Sequence, residues 1–174
     1  MKCRSNSNSR LVRDAEEINS NMKRVFLGIG VLFFLAGCKS TAEGYLKKDS
    51  ASFKLNIEST PCFGTCPVYT MSIDETSEVS YNGKRFVPVE GVVSKTIPQW
   101  EVDSLKQVLL SNNFFELDTL YDANVTDVPS FILDFEAGNS DYNHKVTGRF
   151  DYPEKFSKIK AFLERLRKRN FSAK

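Results

Sequence analysis

The chain has 174 residues and a formal net charge of +2, with 41 % hydrophobic, 12 % aromatic and 26 % charged residues. An aromatic content that includes 14 Phe excludes a disordered body, and the length suits one domain with a modest core. Six of the 24 Lys/Arg and three of the 22 Asp/Glu fall in residues 1–37, leaving 18 basic against 19 acidic residues from Cys38 onward. The basic balance therefore belongs to the leader, and it gives no argument for a nucleic-acid partner.

Met1 to Asn21 is polar and rich in Ser and Asn. Met22-Lys23-Arg24 is the more usual opening of a signal peptide, so translation is expected to start at Met22. Val25 to Ala36 is wholly apolar or glycine, and Gly37 and Cys38 follow. The run is too short to span a bilayer, which needs roughly twenty residues, but it fits the apolar region of a signal peptide. Leu35-Ala36-Gly37-Cys38 resembles the lipobox of bacterial lipoproteins. The resemblance implies a diacylglycerol on Cys38, cleavage before it, and a mature protein held in the cell envelope by its N-terminus. One acyl chain anchors only marginally, so the two or three that this chemistry supplies matter. Lys39 is not the aspartate that retains enteric lipoproteins at the inner membrane, which points to the outer membrane with the body facing the periplasm.

Residues 38–51 are small, polar and charged and read as a tether. The domain is expected over 52–174. Phe53, Leu55 and Ile57 alternate with polar residues, a half-buried strand pattern that Thr60-Pro61 breaks. Val68–Ile73 is a second strand, with Tyr69, Met71 and Ile73 on one face, and Glu78–Tyr81 a third. Asn82-Gly83 signals a two-residue hairpin, from which Lys84–Val87 would pair back. Pro88 ends that segment, and Gly91–Ile97 offers a further strand.

Pro98 then opens a helix with Val102, Leu105, Val108 and Leu109 on its apolar stripe. Phe114-Phe115 packs beyond it, and Glu116–Pro129 is a long acidic loop. Ser130–Ala137 and Tyr142–Phe150 form a strand pair around a turn at Gly138–Asp141. Pro153 opens a last helix carrying Phe156, Ile159, Phe162, Leu163 and Leu166. Arg165, Arg167, Lys168 and Arg169 crowd its C-terminal end, where cations favour the helix dipole and where lipid head groups are an alternative partner. The fold class expected is α+β: a mainly antiparallel sheet with two helices packed on one face, a two-layer sandwich.

Charge is uneven. Trp100–Asp141 holds nine acidic residues and one lysine, while Tyr142–Lys174 holds ten basic and three acidic residues. Such asymmetry marks either an interaction surface or two segments that pack together and neutralise each other.

The chemical motif is Pro61-Cys62-Phe63-Gly64-Thr65-Cys66-Pro67-Val68-Tyr69. Together with Tyr81-Asn82-Gly83, Phe114-Phe115, Thr126-Asp127 before Pro129, and the helix from Pro153, it resembles an uncharacterised family of bacterial envelope proteins, domain-of-unknown-function family 6438. The resemblance runs from about Ser52 to Asn170 and implies a shared fold and location. It carries no activity.

Cys62 and Cys66 have three readings. The first is a disulfide stapling the loop between the first two strands, in a compartment that permits disulfides; Gly64 is expected to supply the bend. The second is a thiol-redox pair, although no Lys or Arg lies near in sequence to lower a thiol pKa. The third is a Cu(I) site of two soft thiolates completed by His144, the single histidine. His144 shares strand parity with Val146, so it is expected on the apolar side of the sheet. Glu116, Asp118, Asp122 and Asp127 form an acidic loop without the spacing of a calcium-binding EF-hand. No P-loop, HExxH, GxGxxG or nucleophile elbow occurs. The sequence thus points to a non-catalytic binding or structural module without a cofactor. Its partners would be the membrane, through the N-terminal lipid, and an envelope protein. The alternative is a thiol-redox or Cu(I)-handling protein.

Overall fold

The structure is a computed structural model, described for Gly44, Leu46 and residues 52–123, 125–138 and 142–172. The leader, Cys38 and nearly all of the tether lie outside the described residues, as do residues 139–141 of the last turn.

Seven strands form one sheet: β1 (Phe53–Ser59), β2 (Val68–Asp74), β3 (Glu78–Arg85), β4 (Gly91–Thr96), β5 (Leu120–Tyr121), β6 (Phe131–Ala137) and β7 (Tyr142–Gly148). Their order is β4-β3-β2-β1-β6-β7-β5. Every pairing is antiparallel except that of β5 with β7, where Leu120 and Tyr121 sit opposite Thr147 and Gly148. Helices α1 (Gln99–Ser111) and α2 (Glu154–Asn170) cover one face, with a short 3-10 turn at Phe114–Glu116. The fold is an α+β two-layer sandwich.

The period-two alternation sets the faces. Leu55, Ile57, Tyr69, Met71, Ile73, Val79, Tyr81, Leu133, Phe135 and Val146 all point at the helices and are buried. From the helices come Val102, Leu105, Leu109, Phe156, Ile159 and Leu163. Each such side chain contributes about 1.5–3 kcal/mol by leaving water, so the sandwich interface holds the domain together. Leu46, inside the expected tether, is also buried in this core, so the chain docks on the body before β1 begins. The other face of the sheet is polar. One row of opposed residues crosses six strands as Ser94, Ser80, Ser72, Asn56, Asp134 and Lys145.

The expected Asn82-Gly83 hairpin is absent, and Lys84–Val87 does not form its return strand. β3 runs straight through, with Asn82 opposite Thr70 and Gly83 opposite Tyr69. The reversal comes later, at residues 86–90, and β4 pairs back from Gly91. Gly83 answers a different need. A Cβ there would lie 2.0 Å from Val89 O and 2.8 Å from Val87 Cγ2. The loop that follows β3 folds over this strand, and only a residue without a side chain leaves it room. A register shift between Val68 and Tyr69 bulges the same region. Both prolines expected inside their helices stand one residue earlier, Pro98 and Pro153 each occupying the N-cap position. The expected long acidic loop also carries structure at its start and middle, the 3-10 turn and β5.

Candidate functional site

The registers place four connections at one end of the sheet. Ser59 pairs with Tyr69 and Phe131, Val68 with Arg85, Phe131 with Gly148, and Tyr121 with Gly148. Residues 60–67, 86–90, 122–130 and 149–153 therefore share that end.

The first connection carries the cysteine motif. Cys62 and Cys66 are joined by a disulfide, with their Cα atoms 5.8 Å apart. The loop is also tied from outside. Thr60 N donates to Ser130 O at 3.0 Å, Ser130 N to Thr60 Oγ1 at 2.7 Å, and Phe63 N to Asp127 O at 3.5 Å. Gly64 N donates to Cys62 O at 2.9 Å. Gly64 does not supply the bend through a positive φ. A Cβ there would meet only Cys62 Sγ, at 3.8 Å. Asp127 ties the turn through its backbone carbonyl, in a left-handed conformation with φ 64°.

The tip of this stapled loop is Phe63, 91 % exposed. Phe86, Val125 and Phe150, on the other three connections, are exposed too, as is Leu120 on the edge strand β5. Five of the eight exposed large hydrophobic residues among those described thus gather at one end. Phe86 holds a left-handed φ of 56°, a conformation a bulky residue rarely adopts, and Arg85 lies over its ring at 5.5 Å. Exposed Asp118, Asp122, Asp127 and Asp151 surround the group, and Arg149 pairs with Asp122 at 2.9 Å.

His144 is elsewhere. It pairs with Phe135 on β6, four residues or about 13 Å along the strand from the Phe131 end beside the cysteine loop. Its ring points to the helix side, against the edge of Phe114 at 5.1 Å. Nε2 donates to Phe114 O at 3.1 Å, since a carbonyl can only accept. Burial holds its pKa below the usual histidine value, outweighing the opposing pull of that carbonyl. The structure does not bring His144 together with Cys62 and Cys66. Among the described residues no three His, Cys, Asp or Glu side chains converge to hold a metal ion, the acidic loop included.

Sequence reasoning missed a buried polar cluster under α2. Tyr69 donates its hydroxyl to Glu164 Oε1 at 2.6 Å, and Arg167 grips Glu164 Oε2 through Nη2 at 2.8 Å and Nε at 3.2 Å. The Arg167 guanidinium lies 4.8 Å from the Tyr69 ring centroid. Burial first, and the Glu164 charge second, push the Tyr69 pKa far up, so the phenol stays neutral. Glu101 is buried too, accepting from Asn170 Nδ2 at 2.9 Å and pairing with Arg169 at 3.4 Å. Spacing held the signal. Arg167 falls four residues after Leu163, and Glu101 four before Leu105, so both lie on the apolar stripes.

The model of a family described as a domain of unknown function (DUF6438) matches residues 53–167. The chain belongs to this family. The DUF6438 match takes in β1 through most of α2, and so the cysteine loop and all four connections beside it. No curated protein matches the chain.

Proposed function

We propose that this DUF6438 protein is a lipid-anchored envelope protein, acylated at Cys38, whose body is a non-catalytic binding module. The membrane concerned is the outer one, with the body in the periplasm. The lipobox and the missing retention aspartate support the anchor and its address. The binding reading rests on one observation: a disulfide-stapled loop presents Phe63 almost wholly to water, among four further apolar tips. A monomer gains nothing from that exposure, whereas a partner surface would bury it. The acidic residues around the tips favour a protein partner with basic residues around an apolar patch.

Two measurements test this. Fatty-acid labelling should mark the wild type and fail for Cys38→Ala, and an unlabelled wild type would remove the anchor. Capture from crosslinked envelopes should recover the same protein repeatedly with the wild type and lose it with Phe63→Asp/Phe150→Asp. No reproducible partner, or one retained by that variant, would remove the binding role.

A further inference from the structure

We infer that the β4 side of the body, where α1 begins and α2 ends, is a docking surface for an anionic lipid bilayer, with Trp100 in it. The inference rests on the lipid-anchored reading above.

The surface is built from three elements. The C-terminal end of α2 presents Arg165, Lys168 and Arg169, all exposed, and β4 adds Lys95. The first turn of α1 adds Trp100, 56 % exposed. Contacts join them into one patch. The Arg169 guanidinium stands 5.3 Å from the Trp100 ring centroid, and Lys95 Nζ lies 3.5 Å from Asn170 O and 5.9 Å from the Phe171 ring.

Nearby carboxylates are mostly committed inward. Glu101 is buried against Asn170 and Arg169, and Glu164 against Tyr69 and Arg167. Asp74 accepts from Thr76 and Glu78 within its own turn, and Glu75 from Phe53 N. Two acids stay exposed nearby, Asp103, bonded to Gln99, and Glu78, opposite Thr96 on the strand that carries Lys95. Exposed Lys95, Arg165, Lys168 and Arg169 thus lie on the elements that meet near Trp100, with Arg169 against its ring.

That combination suits a bilayer surface. Indole is apolar in its body and polar at its N–H, and it settles at the head-group level. Cations there are drawn to anionic lipid, and an acyl anchor with a basic patch is the usual two-signal arrangement. The anchor is close in sequence as well. Cys38 stands eight residue steps before buried Leu46, a reach of at most about 28 Å.

Trp100 is the only tryptophan, so its fluorescence reads the patch alone. The experiment uses the processed, acylated protein in phosphatidylcholine vesicles with and without phosphatidylglycerol. With the anionic lipid, Trp100 emission should shift to the blue, be quenched by lipids brominated on their chains, and lose access to acrylamide. About 1 M salt, where screening falls to about 3 Å, should reverse this. Arg165→Glu/Lys168→Glu should do the same at an unchanged thermal midpoint, since each cation removed lowers the docked-to-free ratio about fivefold. Equal acrylamide access in both vesicles, with the protein still vesicle-bound, overturns the inference and leaves the anchor standing. Failure to cofractionate with vesicles overturns the anchor and the inference together.

Discussion

Tyr69 on β2 donates its hydroxyl to Glu164 on α2 at 2.6 Å, across 95 residues of sequence. Arg167 holds the other oxygen of the same carboxylate, which clamps the second helix to the loop end of β2. Tyr81 lies beside this clamp without joining it. Its ring is 5.8 Å from that of Tyr69, yet its buried hydroxyl and Arg167 Nη1 both lack a hydrogen-bond partner. The two phenols should therefore respond oppositely to loss of the hydroxyl. Tyr69→Phe breaks a bond to a charged acceptor and should cost about 1.5–3 kcal/mol. Tyr81→Phe removes an unsatisfied group and should be neutral or stabilising. Urea unfolding of the two variants measures the contrast.

Arg167 is 3 % exposed, whereas its partner Glu164 keeps 26 % of its side chain in water. Removing the cation would leave a half-buried carboxylate with Tyr69 as its remaining partner. Arg167→Ala should cost about 3 kcal/mol, toward the low end for a broken buried pair because Glu164 can still reach solvent. Arg165→Ala, one turn-face away and exposed, should change the urea midpoint hardly at all.

These residues also mark where the sequence was readable. Alternation in Phe53–Ile57, Tyr69–Ile73 and Phe131–Phe135 placed each strand and its buried face, because burial on one side imposes a period of two. The hairpin at Asn82-Gly83 was misread because glycine has two uses. A local turn needs its freedom at positive φ, and a close tertiary approach needs its missing Cβ. Only the second applies here, and Val89 O, six residues on, is invisible to a local rule. Arg167 was read with the cations of the helix end and Glu101 drew no reading, because charge signals exposure, although both sit at stripe positions. The cysteine loop was legible as a unit, but the gathering of Phe86, Leu120, Val125 and Phe150 around Phe63 depends on sheet order and could not be seen in the chain.

Two glycines should be intolerant for steric reasons alone. A Cβ on Gly83 would stand 2.0 Å from Val89 O, and one on Gly148 would stand 2.4 Å from Phe156 Cε1. Neither neighbour is the loose end of a flexible side chain. Gly83→Ala and Gly148→Ala should each cost about 2–3 kcal/mol through forced backbone or ring displacement. Gly64→Ala meets only Cys62 Sγ at 3.8 Å and should stay within about 0.5 kcal/mol of wild type. Thermal midpoints of the three variants make the comparison.

His144 should give stability a pH dependence near neutrality. Burial lowers its pKa in the folded protein below the ordinary value of about 6.5 expected for the unfolded chain. Between those two values the unfolded state binds more protons, so stability rises with pH. The contribution is fully present above the unfolded pKa and is lost as pH falls toward the folded one. The urea midpoint should hold steady above about pH 7.5 and decline below about 6.5. With no second histidine in the chain, His144→Gln should flatten that decline.

The Cys62–Cys66 bridge closes a small ring, with a sequence separation of 4. A ring of that size removes little freedom from the unfolded chain, so Cys62→Ser/Cys66→Ser should lower stability by no more than about 2 kcal/mol. The local effect should be larger than that figure suggests. Within the loop, Gly64 N reaches back to Cys62 O, and Phe63 N meets Asp127 O at 3.5 Å, too long to hold the tip by itself. Without the bridge, amide exchange at residues 62–66 should quicken while β1, β2 and β6 stay protected. Exchange that rises equally through those strands would mean the bridge holds the whole body rather than the tip that presents Phe63.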